Sequence, residues 1–199
     1  MDIDILQAAA LAYEKLTKVE YLIVLGRKGK TTELHISFQP ENFYHLAGLH
    51  KLKMRYKFQQ RTSAWILDNI AKGKIPSTQI KHDENYSKIL PRLSALQHLS
   101  TIIEDNDTKF YKYDPQKIFF ATKIAADYLA KGIYGDDIIT FSFFVKESEK
   151  LYINSIFPME AYDYSLRQTQ YTVLLKEKIE HRHDTTKKQE LYRHKKYTT

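Results

Sequence analysis

Cysteine is absent from the 199 residues of this chain. Disulfides, thiolate zinc sites and cysteine nucleophiles are therefore excluded, so any catalysis must use His, Lys, Arg, Tyr, Ser or carboxylate side chains. The sequence also lacks an apolar run of about 18 residues or more, and its first residues lack the basic start and cleavage signal of a secretory leader. We therefore expect a soluble, cytoplasmic protein that does not enter a membrane.

Several motifs of catalysis and ligand binding are missing as well. The stretch GRKGK at residues 26–30 lacks the spacing of a P-loop or a dinucleotide fingerprint, and no Gly-x-Ser-x-Gly elbow, His-Glu-x-x-His zinc motif or calcium loop occurs. His45 and His50 are five residues apart, a spacing that makes two side chains diverge on a helix. The sequence therefore predicts no metal and no cofactor.

Acidic residues are missing from the segment between Glu41 and Asp68. Five cations lie in this gap and form the predicted nucleic-acid binding set: Lys51, Lys53, Arg55, Lys57 and Arg61. The whole chain has a net charge of +7 and a pI near 9.3, which favours an anionic partner. The chain also has 15 tyrosines and 10 phenylalanines, and nucleic-acid bases stack on such rings.

His45 is the candidate for proton transfer in this segment. A histidine on an apolar helix face is more often structural than catalytic. Beside lysines that hold phosphate, however, an imidazole could take the proton of a ribose 2′-hydroxyl or give one to the leaving 5′-oxygen. The segment therefore indicates RNA chemistry.

The first half of the chain is predicted to be mainly helical. Apolar residues at three- and four-residue spacing predict helices over residues 3–18, 40–52, 63–71 and 87–104. Asp2 or Asp4 opens the first helix, and Thr62 or Ser63 caps the third, with Trp65 turned inward. Alternating residues around the turn at 26–30 predict a β-hairpin.

The second half is predicted to be mainly strands. Aromatic and branched runs separated by turn residues predict antiparallel strands at residues 110–113, 118–129, 138–145 and 151–157, with 121–130 as strand or short helix. A helix and a basic tail are expected after Ser165. The predicted fold class is α+β, with N-terminal helices and a hairpin, then a small antiparallel β-sheet and a C-terminal helical arm. The expected division is residues 1–163 and 164–199.

Two polar residues with apolar flanks are further site candidates. Period-two geometry places Leu151, Ile153, Ser155 and Phe157 on one face, so Ser155 could equally be a core residue bonded to backbone. Lys123 is costly to bury unpaired, so it either pairs with Asp127 or faces a groove. In a groove its ammonium would stabilise the charge of a pentacovalent phosphorane.

The blocks FQPENFYHLAGLHKL, TKIAADYL and LYINSIFP resemble the PBECR4 family, the fourth phage-associated group of Barnase, EndoU, Colicin E5/D and RelE-like nucleases. The likeness covers about residues 20–160. It implies a fold with helices before a small antiparallel sheet and a metal-independent endoribonuclease from a phage or mobile element that attacks RNA of a host or competitor. By position it implies His45 as general base or acid, Lys123 as phosphate-charge stabiliser and Ser155 as a hydroxyl at the scissile phosphate.

The working hypothesis is an endoribonuclease that cleaves RNA through a 2′,3′-cyclic phosphate. The alternative is a noncatalytic phage interaction protein that blocks a host nucleic-acid machine with a nuclease-like scaffold and a basic surface. A DNA binder associated with transcription is a third hypothesis. The sequence leaves open a host protein target or a neutralising protein as a further partner.

Overall fold

The structure is a computed structural model that describes residues 4–182 and 185–198, apart from the side chains of Tyr56, Lys57 and Arg182. Within this part of the chain the α-helices are α1 (Ile5–Leu16), α2 (Phe43–Leu46), α3 (Ser63–Ala71), α4 (Tyr86–Gln97) and α5 (Leu99–Glu104). Its strands are β1 (Val19–Arg27), β2 (Lys30–Ser37), β3 (Lys109–Lys112), β4 (Tyr128–Tyr134), β5 (Ile138–Glu147), β6 (Lys150–Pro158), β7 (Thr169–Arg182) and β8 (Thr185–Arg193). Short 3-10 helices occupy Pro40–Asn42, Leu49–Lys51, Lys53–Phe58, Ser77–Gln79 and Pro115–Lys117. None of the helices in the described ranges has the length and apolar character needed to cross a bilayer.

The sheet closes on itself. Its strand order is β1-β2-β6-β5-β4-β3-β7, and the ring closes because β7 pairs with β1 as well as with β3. The pair β2 and β6 is parallel, whereas the other neighbouring pairs are antiparallel. β8 adds one strand by pairing with β7. The described strands therefore form a closed, mixed seven-stranded β-barrel with one extra strand.

The predicted small antiparallel sheet with a C-terminal helical arm is wrong. The tail forms β7 and β8, and β7 pairs with β1 from Val19↔Glu180 to Gly26↔Thr172. The apolar residues of the tail fit a helical spacing, but β1 would have an unpaired edge without β7, and unpaired backbone groups are costly. Pairing with a strand about 150 residues earlier therefore overrides the local helical pattern.

Other predictions for the first half hold in part. Helix α1 is confirmed, with the Asp4 carboxylate accepting the Gln7 backbone N–H at 2.8 Å. The β1–β2 hairpin is confirmed, and so is α3, which Thr62 caps. Trp65 does not turn inward, since it is 39% exposed with Arg61 over its ring. The helix expected at 87–104 is divided at His98 into α4 and α5.

The two faces of the sheet pack against different partners. Tyr128, Ala130 and Phe144 belong to the main core, which includes the buried residues of α1, α3 and α4. The alternate residues Leu129 and Phe143 lie in a second cluster. This smaller cluster is covered by irregular segments, because Ile118, Ile124, Ala126 and Tyr164 pack against it. The candidate site forms where these segments meet α4.

Candidate active site

A β-bulge in β6 directs Ser155 away from the main core. Phe143 pairs with Ser155 and Phe144 with Ile153, so Asn154 is an extra residue in β6. Leu151, Ile153 and Ile156 lie in the main core, whereas Phe157 packs against the second cluster. The prediction that Ser155 shares a face with Leu151 and Ile153 is therefore wrong, because the extra residue shifts the alternation by one.

The bulge also fixes the segment that carries Lys123. The Asn154 side chain donates to the backbone carbonyl of Ala125 at 2.8 Å. Residues 121–126 have no regular secondary structure, so the expected strand or short helix at 121–130 is wrong for all but its last residues, which begin β4. Lys123 is exposed on this segment. The predicted partner of Lys123, Asp127, forms an ion pair with Lys112 at 3.3 Å and accepts the Lys146 backbone N–H at 2.9 Å. Lys123 lines the pocket that is described below.

Gly48 ends the predicted helix of residues 40–52 early. Its φ of 76° reverses the chain after α2, and the following 3-10 helix carries His50 and Lys51. A Cβ at Gly48 would lie 3.1 Å from both Arg92 Cδ and Ile89 Cγ2. The glycine therefore allows α4 to pack closely with its arginine against the loop after α2.

The same turn brings His45 and His50 together. Their ring centroids are 4.1 Å apart and the planes differ by 9°, so the prediction that they diverge is wrong. That prediction assumed a continuous helix, and the helix stops at Leu46. His45 is exposed, and His50 is half-buried with its Nδ1 buried and unbonded in the described part of the structure.

Although His45 is exposed, the surrounding protein partly desolvates its ring, and this lowers its pKa below the ordinary value; the nearby cations Arg92 and Lys51 lower it further. Burial likewise lowers the pKa of His50, to about 4, with contributions from His45 and the same cations. Both imidazoles are therefore neutral at pH 7. A neutral, exposed imidazole can accept a proton, so His45 is in the form that a general base requires.

A pocket of about 410 Å³ lies next to these histidines. Its lining includes four cations, Lys51, Lys88, Arg92 and Lys123, and the carboxylate of Glu160. Ser155 lines it as well, so the structure brings two of the three predicted catalytic residues into one pocket. His45 is not among the described lining residues of the pocket, but it lies beside the pocket, because the charges of the lining residues Lys51 and Arg92 lower its pKa.

Arg92 organises the pocket. Its Nη1 donates to Ser155 Oγ at 3.4 Å and to the Ile156 carbonyl at 3.2 Å, and the guanidinium lies 5.2 Å from the centre of the Phe157 ring. Burial lowers the pKa of Arg92 from its ordinary value, but a guanidinium stays charged near neutrality. It thus provides a fixed positive charge between α4 and β6.

Of the predicted nucleic-acid binding set, the structure places only Lys51 in the described pocket lining. Burial and the charge of Arg92 lower its pKa. Lys53 forms an ion pair with Glu84 at 2.5 Å, Arg55 is exposed, and Arg61 lies 4.6 Å from the centre of the Trp65 ring. The Lys57 side chain is outside the described part of the structure.

The sequence reasoning missed Lys88, Arg92, Glu160, Tyr162 and Tyr164, all of which line the pocket. One available signal was the position of Arg92 in ILPRLSAL. It lies three residues after Ile89 and one before Leu93, which places a charged group at the border of the buried face of the helix. Such a border cation often contacts another element of the fold.

A family model described as PBECR4, phage-Barnase-EndoU-ColicinE5/D-RelE like nuclease4, matches residues 5–193. The match confirms the predicted family and extends beyond the 20–160 core, over all of α1, β7 and β8. Neither the curated proteins nor the solved structures that were compared gave a match.

Proposed function

The chain belongs to the PBECR4 family, whose description points to nucleases of the Barnase, EndoU and colicin kind, and we propose that it is an endoribonuclease. The proposed reaction cleaves RNA through a 2′,3′-cyclic phosphate. The observation that carries the proposal is the convergence of Arg92, Lys123 and Ser155 in one cationic pocket beside the exposed His45. The proposed setting is a phage or mobile element acting on RNA in a bacterial cytoplasm.

The pocket suits a phosphodiester because cations dominate its lining. Lys51, Lys88, Arg92 and Lys123 face one carboxylate, that of Glu160, among the described lining residues. Fixed positive groups stabilise the charge that develops on a phosphorane more than that of the bound phosphodiester. Arg92 is fixed by its bonds to β6, so it needs little reorganisation as charge develops.

Ser155 suits a second contact to the same phosphate. Its side chain is only 7% exposed, and its Oγ accepts a hydrogen bond from Arg92. The hydroxyl hydrogen of Ser155 is therefore free to point to a phosphate oxygen. Lys123, which is exposed and lines the same pocket, would neutralise a further oxygen.

His45 would accept the proton of the ribose 2′-hydroxyl while that oxygen forms a bond to phosphorus and the bond to the 5′-oxygen breaks. Its lowered pKa keeps it in the basic form at pH 7. The leaving 5′-oxygen also needs a proton, and Lys51, whose pKa is lowered, is suited to supply it. Acid-base help of this kind contributes about 10² to 10⁴ in rate.

The test is cleavage of total RNA and of a defined oligonucleotide in EDTA, with the product ends analysed for 2′,3′-cyclic phosphate. We expect cleavage by the unsubstituted protein and a loss of about 10² or more in His45→Ala. His82→Ala is the matched control, since His82 is an exposed histidine outside the described pocket lining. A substrate with a 2′-deoxy sugar at the cut site should not be cleaved, because it lacks the 2′-hydroxyl that attacks the phosphorus.

Cleavage of that deoxy substrate, cleavage abolished by EDTA, or equal activity in His45→Ala and His82→Ala would each refute this mechanism.

A noncatalytic role has one observation in its favour, a second hollow of about 290 Å³ lined by Arg27, Lys28, Lys30, Thr32 and Tyr171. If that role were the correct one, Lys28→Glu would abolish the effect of the protein on bacterial growth and His45→Ala would not.

A further inference from the structure

The pocket has an aromatic wall as well as cations. Phe157, Tyr162 and Tyr164 line it, and Tyr162 is 49% exposed. Phe120 stacks behind Tyr162, with ring centroids 4.2 Å apart and planes 21° from parallel. Phe119, which is 63% exposed, meets the edge of Phe120 at 5.5 Å.

These outer rings are fixed in place. Phe120 meets Tyr164 at 5.1 Å, and Tyr164 contacts Phe141, Phe143 and Phe157 of the second cluster. Tyr162 is thus the outermost member of a stack that is anchored in the sheet. One face of its ring is covered by Phe120, so its exposed half is available to a ligand in the pocket.

Packing alone does not account for Phe119 and Tyr162. The second cluster is completed by partly buried residues such as Ile118, Ile124 and Tyr164, and neither of these two rings is a member of it. Large aromatic rings that stay half-exposed bury little apolar surface for the fold. Tyr162 lies nearly parallel to Phe120 and next to cations, with Phe119 edge-on to Phe120, and a half-exposed ring in this setting has the features of a site that stacks nucleobases.

We propose that Tyr162, backed by Phe120 and flanked by Phe119, stacks on an unpaired base adjacent to the phosphate held by Arg92 and Lys123. This inference rests on the proposed function and specifies its substrate as single-stranded RNA. In a duplex each base is already stacked and paired, so its face cannot reach a protein ring. An unpaired base can lie on Tyr162 while its phosphate occupies the cationic side of the pocket.

The experiment measures binding without cleavage. Every protein carries His45→Ala, and the probe is a single-stranded RNA with one 2-aminopurine, whose fluorescence falls when it stacks. Tyr162→Ala should weaken binding roughly 5- to 150-fold and remove the quenching. Tyr162→Phe keeps the ring and should retain both, and Ile133→Ala, at an exposed apolar residue in β4, is the matched control.

Two further measurements separate stacking from charge. The same RNA annealed to its complement should bind much more weakly than the single strand. Tyr162→Ala should leave the slope of log affinity against log salt unchanged, whereas Lys123→Ala should reduce it by about 0.7, the value for one phosphate contact on a single strand.

Equal affinity of Tyr162→Ala and the parent protein, equal binding of duplex and single strand, or no binding of the single strand would overturn the stacking site. These outcomes are distinct from a failure of the proposed reaction, because binding and quenching require no cleavage. If the protein with His45 intact cleaved no RNA while the His45→Ala protein still quenched the probe, the reaction would be refuted and the stacking site supported.

Discussion

Gly48 provides the sharpest test of how the site is assembled. At a φ of 76° the residue occupies the left-handed region, and an added Cβ would lie 3.1 Å from Ile89 Cγ2 and Arg92 Cδ. Ile89 is fully buried in α4, so it has little room to move. The Arg92 side chain is flexible, and we expect Gly48→Ala to displace it from Ser155.

Two contributions determine how much Gly48→Ala destabilises the protein. Placing alanine in the left-handed region costs about 1–2 kcal/mol. Overpacking against Ile89 and Arg92 adds about 1–3 kcal/mol. The free energy of unfolding should therefore fall by roughly 2–5 kcal/mol in Gly48→Ala. A displacement of Arg92 near 1 Å should lower kcat/KM by on the order of 10²-fold.

Gly29→Ala is the matched control, because Gly29 has a φ of 75° and nothing within 4 Å of its added Cβ. The free energy of unfolding of Gly29→Ala, measured by chemical denaturation, should fall only by the cost of the left-handed backbone, about 1–2 kcal/mol, and its RNA cleavage should be unchanged. Equal stability losses in the two variants, together with normal cleavage by Gly48→Ala, would refute the packing of Arg92 over Gly48 as the basis of the site.

Three further predictions concern protons and register. Because partial desolvation and nearby cations lower the pKa of His45, the acid limb of the pH profile of kcat/KM should lie below pH 6.5. Lys51→Gln removes one of these cations and should move the limb to higher pH; an unmoved limb would contradict the effect of the Lys51 charge on His45. Lys176 is buried with a pKa lowered to about 8, and it donates to the backbone carbonyls of Ile103 and Asp105 at the C-terminal end of α5. In Lys176→Met the free energy of unfolding, measured with denaturant, should therefore fall by about 2–4 kcal/mol. The unfolded chain binds more protons at this lysine above pH 8, so its contribution should rise from about pH 8 to 10; a variant with the same pH dependence as the parent contradicts this. Deleting Asn154 should make the pairing regular with Ser155 still opposite Phe143, but it removes the hydrogen bond to Ala125 that holds the segment of Lys123, so RNA cleavage should fall while circular dichroism is unchanged. Unchanged cleavage would contradict this role of Asn154.

Elements with local signals could be predicted from the sequence. The carboxylate of Asp4 and the hydroxyl of Thr62 accept backbone N–H groups three residues ahead, so α1 and α3 have caps that can be recognised in a short window. The β1–β2 turn contains Gly29 at positive φ, which a short turn requires. These signals do not depend on where the rest of the chain lies.

The barrel could not be predicted because its closure depends on distant partners. β1 pairs with β7 although residues 28–168 lie between them in the sequence, and the only parallel pair of the described sheet joins β2 to β6. No residue in the tail marks it as the partner of β1. The apolar spacing after Ser165 fits a helix as well as a strand, and only the free edge of β1 decides between them.

For the candidate site, residue type was easier to predict than position. His45, Lys123 and Ser155 were selected because imidazole, ammonium and hydroxyl groups suit phosphate chemistry, and the structure places them at or beside one pocket. The stop at Gly48 was available from sequence, since glycine commonly follows a helix end. The bulge at Asn154 was not, because an extra residue leaves no trace in the composition of a strand.

The missed Arg92 links the elements that carry these three residues. Lys123 and Ser155 lie on different segments, and Asn154 joins those segments through Ala125. Arg92 joins the same strand to α4, and α4 packs against the turn that orients His45. Each of these links depends on a backbone irregularity, the bulge in β6 or the left-handed turn after α2. Changes that make the backbone regular at these points should therefore impair RNA cleavage more than they destabilise the barrel. If His45 and Ser155 were purely structural, the same changes would mainly lower stability.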